Sequence, residues 1–85
     1  MVVGRKVFMT GIALNLNATL GLDRGRYHFV LRGQSGIWVG DSTVANSDGF
    51  PVPTASDLHL DLLQGDELYA HGATGQELTV LAYEV

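Results

Sequence analysis

Cysteine is absent from the 85 residues, which excludes disulfides and thiolate metal sites. The same absence suits both a reducing cytosol and a particle exposed to the outside, so it fixes no compartment. Histidine occurs three times, at His28, His59 and His71, too scattered for a structural zinc site. No His-x-His pair occurs, and no nucleophile stands in a motif with a partnered base. Gly33-Gln34-Ser35-Gly36 lacks both the Gly-x-Ser-x-Gly spacing of a nucleophile elbow and the Gly-Lys-Ser/Thr ending of a phosphate loop, and reads as a hairpin turn. The opening stretch, Met1 to Met9, holds Arg5 and Lys6 inside a short apolar run. It therefore lacks the continuous apolar segment of a signal peptide or membrane helix, and synthesis in the cytosol without a membrane partner is expected. Basic residues are missing altogether after Arg32.

What is present is apolar: 46% of the residues are hydrophobic and only 16% are charged. A chain of this length is expected to form one domain, residues 1–85. Such a domain buries only roughly 60 to 65% of the surface its unfolded form exposes, so it needs further stabilisation. With disulfides excluded and no metal expected, oligomerisation is the device that remains, and the surplus of apolar residues points to subunit contacts. Charge is divided along the chain. Arg5, Lys6, Arg24, Arg26 and Arg32 share the first 32 residues with one acid, Asp23, and the remainder carries eight acids and no base. Such a division can steer association with a surface of complementary potential, unless the charges are simply solvated or folding brings the halves together.

Alternation of period two dominates the pattern. Ile12, Leu14, Leu16, Ala18 and Leu20 fall on one strand face, and Ala13, Asn15, Asn17 and Thr19 on the other. Tyr27, Phe29 and Leu31 alternate with Arg26, His28, Val30 and Arg32, and Leu58, Leu60 and Leu62 with Asp57, His59 and Asp61. Turns rich in Gly, Asn, Asp and Ser separate these runs. The spacing predicts strands near 4–9, 11–20, 26–33, 36–40, 56–63, 67–71 and 77–84, with a long loop near 41–55 and a short edge strand near Phe50. Helix has little support. The expected fold class is all-β, a small antiparallel β-sandwich or jelly-roll-like barrel of seven or eight short strands. In the last strand, Leu78, Val80 and Ala82 oppose Thr79, Leu81 and Tyr83, so both faces read as partly buried: by a neighbouring subunit, or by the chain's own termini or 41–55 loop.

Few constellations suggest chemistry. Asp57, His59 and Asp61 share one strand face, a conceivable metal half-site that only His28 or His71 could complete, or else a solvated acidic face. Asp41-Ser42-Thr43 and Asn46-Ser47-Asp48-Gly49 offer oxygens but not the ordered spacing of a calcium loop, so Asx-turn chemistry is expected. No cofactor is expected, and no metal. Trp38, Phe50 and Tyr69 could form an aromatic platform for a sugar, an oligomer anchor or part of the core. Direct nucleic-acid binding is disfavoured by the sign of the net charge, −4, although Arg24, Arg26 and Arg32 form a small patch.

Four motifs recur in order. They are a Val-Gly-x-Ser-x-Val turn at Val39, Gly40, Ser42 and Val44, a Gly-x-Pro corner at Gly49 and Pro51, a Gly-Asp-x-Leu-Tyr-Ala segment from Gly65 to Ala70, and a closing strand with Leu78, Val80 and Leu81. Over residues 30 to 82 this order resembles small β-rich structural proteins of tailed bacteriophage virions. The resemblance implies a non-enzymatic capsid decoration or cement subunit in the virion. Its partners would be the major capsid protein and further copies of itself, with a trimer favoured. A tail or neck component, or a carbohydrate- or receptor-binding module using Trp38 and Tyr69, are the alternatives. The candidate subunit or capsid interface comprises Arg5, Lys6, Arg24, Arg26, Arg32, Trp38, Phe50, Leu81 and Tyr83. Gly65-Asp66 also echoes a corner of cupin barrels, which implies a jelly-roll-like turn with Asp66 bonding backbone amides and Leu68 entering the core.

Overall fold

Alternating side chains build the two longest interior strands. In β3 (Tyr27–Gly33), Tyr27, Phe29 and Leu31 are buried; in β8 (Glu77–Glu84), Leu78, Val80 and Ala82 are. A computed structural model describes residues 2–85, so Met1 lies outside the described residues. The remaining strands are β1 (Val2–Phe8), β2 (Leu14–Asn15), β4 (Trp38–Gly40), β5 (Phe50–Pro51), β6 (Leu58–Asp61) and β7 (Tyr69–His71). They form two four-stranded antiparallel sheets, ordered β1-β8-β3-β6 (sheet A) and β2-β7-β4-β5 (sheet B). The pairs β1·β8, β2·β7, β3·β6 and β4·β5 describe one long hairpin, four strands against four, wrapped until its two halves face each other. That is the jelly-roll arrangement, an all-β sandwich of eight strands. A single core cluster draws on both sheets, with Val7, Phe29 and Val80 from sheet A and Val39 and Ala70 from sheet B.

One predicted strand is something else. Residues 11–20 hold only β2, followed by a single helical turn, α1 (Leu16–Thr19). The Asn15 side chain caps this turn by accepting from the Ala18 amide at 3.0 Å. At its other end Gly21 (φ 71°) donates to the Ala18 carbonyl and Leu22 to that of Asn17, the paired bonds of a Schellman cap. Leu16, Asn17 and Leu20 are buried while Ala18 and Ile12 are exposed, which reverses the strand reading at 12, 17 and 18. Arg5 Nη1 donates to the Thr19 carbonyl at 3.0 Å, so a cation closes the turn's C-terminus.

The connections gather at two ends of the sandwich. At one end, Gln76 Nε2 donates to the Ser35 carbonyl at 2.6 Å, and Gln34 Oε1 accepts from the Glu77 amide at 3.0 Å. At the other end lie residues 20–26, the 41–49 loop and the 62–68 turn. The long 41–55 loop does contain the predicted edge strand at Phe50. Its hydrophobic seats are Val44 and Val52, both buried.

Candidate functional site

Two clefts open at the loop ends. A smaller one, about 150 Å³, is lined by Asn17, Leu22, Asp23, Arg24, Gly65, Asp66 and Glu67. One of its carboxylates, Asp23, is held by hydrogen bonds from its own turn. Asp23 Oδ1 accepts from the Tyr27 hydroxyl at 2.5 Å and from the Gly25 amide at 2.8 Å, and these bonds hold its pKa below the ordinary value. Tyr27 is raised in turn, first by the hydrogen bond to Asp23 and then by burial. The pair therefore fastens a turn to the core. Among the described residues the Asp66 side chain accepts from no backbone amide, which corrects the expected role; its own amide donates to the Leu63 carbonyl at 3.0 Å, and the turn is held by a second residue as well. That residue is buried Asn17, with Oδ1 accepting from the Leu68 amide at 2.9 Å and Nδ2 donating to the Asp66 carbonyl at 3.4 Å. Leu68 enters the core as expected.

The larger cleft, about 320 Å³, lies between β4 and the 41–50 loop and is lined by Asp41, Thr43, Val44, Asp48 and Phe50 among others. Asp41 Oδ1 accepts from the hydroxyl of Thr43 at 2.5 Å and from its amide at 2.9 Å, which lowers the Asp41 pKa. This is the expected Asx turn. Phe50 remains 59% exposed beside it, so of the roles expected for Phe50 the one as part of the core is corrected. The reason is position: β5 is the two-residue rim of sheet B, with a strand on one side only.

The outer face of sheet A is the most distinctive surface. Register places Val2, Tyr83, His28 and Asp61 in one cross-strand row, and Gly4, Leu81, Val30 and His59 in the next. Leu81 and Tyr83 are 38% and 36% exposed, so the described residues cover them only in part. Tyr83 lies against the His28 ring, centroids 4.9 Å apart. His28 Nδ1 meets Asp61 Oδ1 at 2.5 Å and its Nε2 meets His59 Nδ1 at 3.1 Å. The two ring nitrogens of His28 bridge Asp61 and His59. His28 thus joins the Asp57–Asp61 face as the sequence suggested, whereas His71 lies on sheet B. Among the described residues no group of three or more His, Asp or Glu side chains is arranged to hold a metal ion.

The other predicted interface residues scatter. Lys6 pairs with Glu77 at 3.7 Å and Arg32 with Asp57 at 2.9 Å, while Arg24 lies over Gly65 and Arg26 is exposed. Trp38, Tyr69 and His71 share the outer face of sheet B, where Trp38 pairs with His71 in register. Phe50 pairs with inward-facing Val39 instead, so the three-aromatic platform is reduced to two. Trp38 Nε1 and His71 Nδ1 are buried and have no hydrogen-bond partner. Residues missed by the sequence reading are Asn17 and the Asn15 and Gly21 caps. The signal was present in the Asn15-Leu16-Asn17 and Leu20-Gly21-Leu22 strings.

In comparison with known proteins, no family model matches the chain, and neither a curated protein nor a solved structure matches it.

Proposed function

We propose that the chain is a non-enzymatic structural subunit of a tailed-phage virion, a capsid decoration protein that seats on the capsid exterior as a homo-oligomer, with a trimer favoured. The observation that carries this reading is the outer face of sheet A. Val2, Leu81 and Tyr83 form an exposed apolar strip across the neighbouring strands β1 and β8, bordered by His59, Asp61 and Arg32. Such a strip with a polar border has the composition of a docking surface. The motif residues that carry the resemblance to virion proteins lie at β4 and its turn, the β5 corner, the turn into β7, and β8. Several modest contacts made together by one oligomer suffice for stable attachment. Mass spectrometry of purified particles, followed by a low-resolution map, tests the proposal. Density on the capsid exterior is expected, and absence of the chain from the particles overturns it.

A second reading, a carbohydrate- or receptor-binding module, is favoured by Trp38 and Tyr69 on the outer face of sheet B beside the unpartnered nitrogens of Trp38 and His71. Glycan-array binding that is lost in Trp38→Ala supports it.

A further inference from the structure

We propose that the two free edges of sheet A are complementary halves of a self-association site: β1 of one copy adds to β6 of the next and continues the antiparallel sheet from chain to chain. This rests on the homo-oligomer part of the function proposed above and is independent of its virion part.

The two rims of sheet A are built to pair. Sheet order leaves β1 and β6 each with one neighbour. The bonds Met9 N–H to Gln76 O, Val85 N–H to Arg26 O and Leu62 N–H to Tyr27 O extend the three ladders of this sheet. Hydrogen-bonded positions alternate along an antiparallel pair. Val3, Arg5 and Val7 therefore turn their amides toward β8, and Val2, Gly4, Lys6 and Phe8 turn theirs to the open rim. By the same count Asp57, His59 and Asp61 turn theirs outward beside β6. Sheet B handles its rims differently, because β2 and β5 have two residues each and β5 ends in Pro51, devices that blunt an edge. β1 has seven residues, no proline, and a Val2 that is 68% exposed. A long edge without proline is a template for another strand, and the charges of Arg5 and Lys6 restrict which strand can join it.

Charge selects the partner. The β1 rim carries Arg5 and Lys6 and the β6 rim carries Asp57 and Asp61, which within one chain contact the Thr19 carbonyl, Glu77, Arg32 and His28 respectively. Pairing β1 with its own copy brings bases against bases, and pairing β6 with its own copy brings acids against acids, which is unfavourable across strands. Pairing β1 with β6 sets opposite signs together. The directions fit as well. Strand sense alternates from β1 through β8 and β3 to β6, so a copy in the same orientation presents β1 antiparallel to β6. The contact is then heterologous, closing into a ring or continuing as a filament.

The test blocks one edge at a time in the full chain. Gly4→Pro removes an outward amide from β1, and a Cβ at position 4 meets only Leu81 Cδ1, at an ordinary 3.6 Å. His59→Pro does the same for β6. Native mass spectrometry and sedimentation read assembly, and thermal melting confirms folding. Wild type is expected to self-associate, and each variant alone to lose at least about tenfold in association constant. An equimolar mixture is expected to form one-to-one dimers and nothing larger, because each chain retains the edge that the other lacks. Should a proline chain fail to fold, Lys6→Glu and Asp61→Lys serve instead: each weakens assembly alone and the mixture restores it. A wild type that stays monomeric at about millimolar concentration overturns the proposal. So do variants that assemble like wild type, or a His59→Pro chain that dimerises by itself. Particle binding is scored separately: rings that do not bind capsids overturn the virion reading alone, and binding as single chains overturns edge pairing alone.

Discussion

The phenol of Tyr27 and the carboxylate of Asp23 are the clearest case of one side chain's chemistry serving the fold. Each needs a particular protonation state for their 2.5 Å bond. The depressed pKa of Asp23 stabilises the fold above the usual carboxyl range near 4, and that contribution is lost as pH falls through the lowered value. The raised pKa of Tyr27 contributes below the usual phenol value near 10 and is lost as pH rises through the raised one. Tyr27→Phe should therefore flatten both limbs of a melting-temperature profile measured from about pH 2 to about pH 11. Parallel profiles for the two proteins at both extremes would show that the bond contributes nothing. Position 49 behaves differently from its neighbour. A Cβ on Gly49 would lie 2.6 Å from Val44 Cγ2 and 2.8 Å from the Val39 carbonyl, so Gly49→Ala should cost about 1 to 3 kcal/mol, whereas Phe50→Ala should stay within about 0.5 kcal/mol. Denaturant titration of both variants checks the order, and a larger loss at Phe50 would contradict its exposure.

At the scale of elements, the strands with alternating large side chains were legible and the 12–20 segment was not. Leu16 and Leu20 are four apart, a spacing that satisfies period two and nearly satisfies 3.6, so hydrophobic pattern alone cannot separate strand from helical turn. Only Asn15 and Gly21, read as caps, break the tie. Asn17 was illegible for another reason: its role depends on Leu68, which the fold brings to it from across the chain. Asn17→Ala should leave the buried Leu68 amide unpaired and cost about 1 to 3 kcal/mol. Hydrogen exchange at Leu68 should quicken in step, and unchanged protection there would refute the assignment. The long 41–55 loop was visible in its Asp, Asn, Ser and Gly content, but its anchors were not. Val44 and Val52 look no more committed to the core than Phe50 until the rim position of β5 is known.

For the whole molecule, the jelly roll decides what the divided charge does. Strands of the first half pair with strands of the second, so the basic start is laid beside the acidic remainder: Lys6 meets Glu77 across β1·β8, and Arg32 meets Asp57 beside β3·β6. Two of the five basic residues thus meet acids in local ion pairs, each exposed and screened by salt. Beside the charges on its rims, the fold leaves an apolar surface open on sheet A, the Leu81–Tyr83 strip of β8. Attachment to a particle through that strip should survive about 1 M salt, which shortens the screening length to about 3 Å, and should fail when the strip is made polar. Leu81→Ser changes a surface residue and should shift subunit stability by only about 0.5 kcal/mol. If it removes about 1 kcal/mol of docking energy per subunit, a trimer held by three such contacts loses about a hundredfold in affinity. Melting temperature and particle occupancy, measured on the same preparation, separate the two effects. Occupancy equal to wild type with an unchanged melting temperature would show that the particle is gripped elsewhere, with the face carrying Trp38 and Tyr69 next in line.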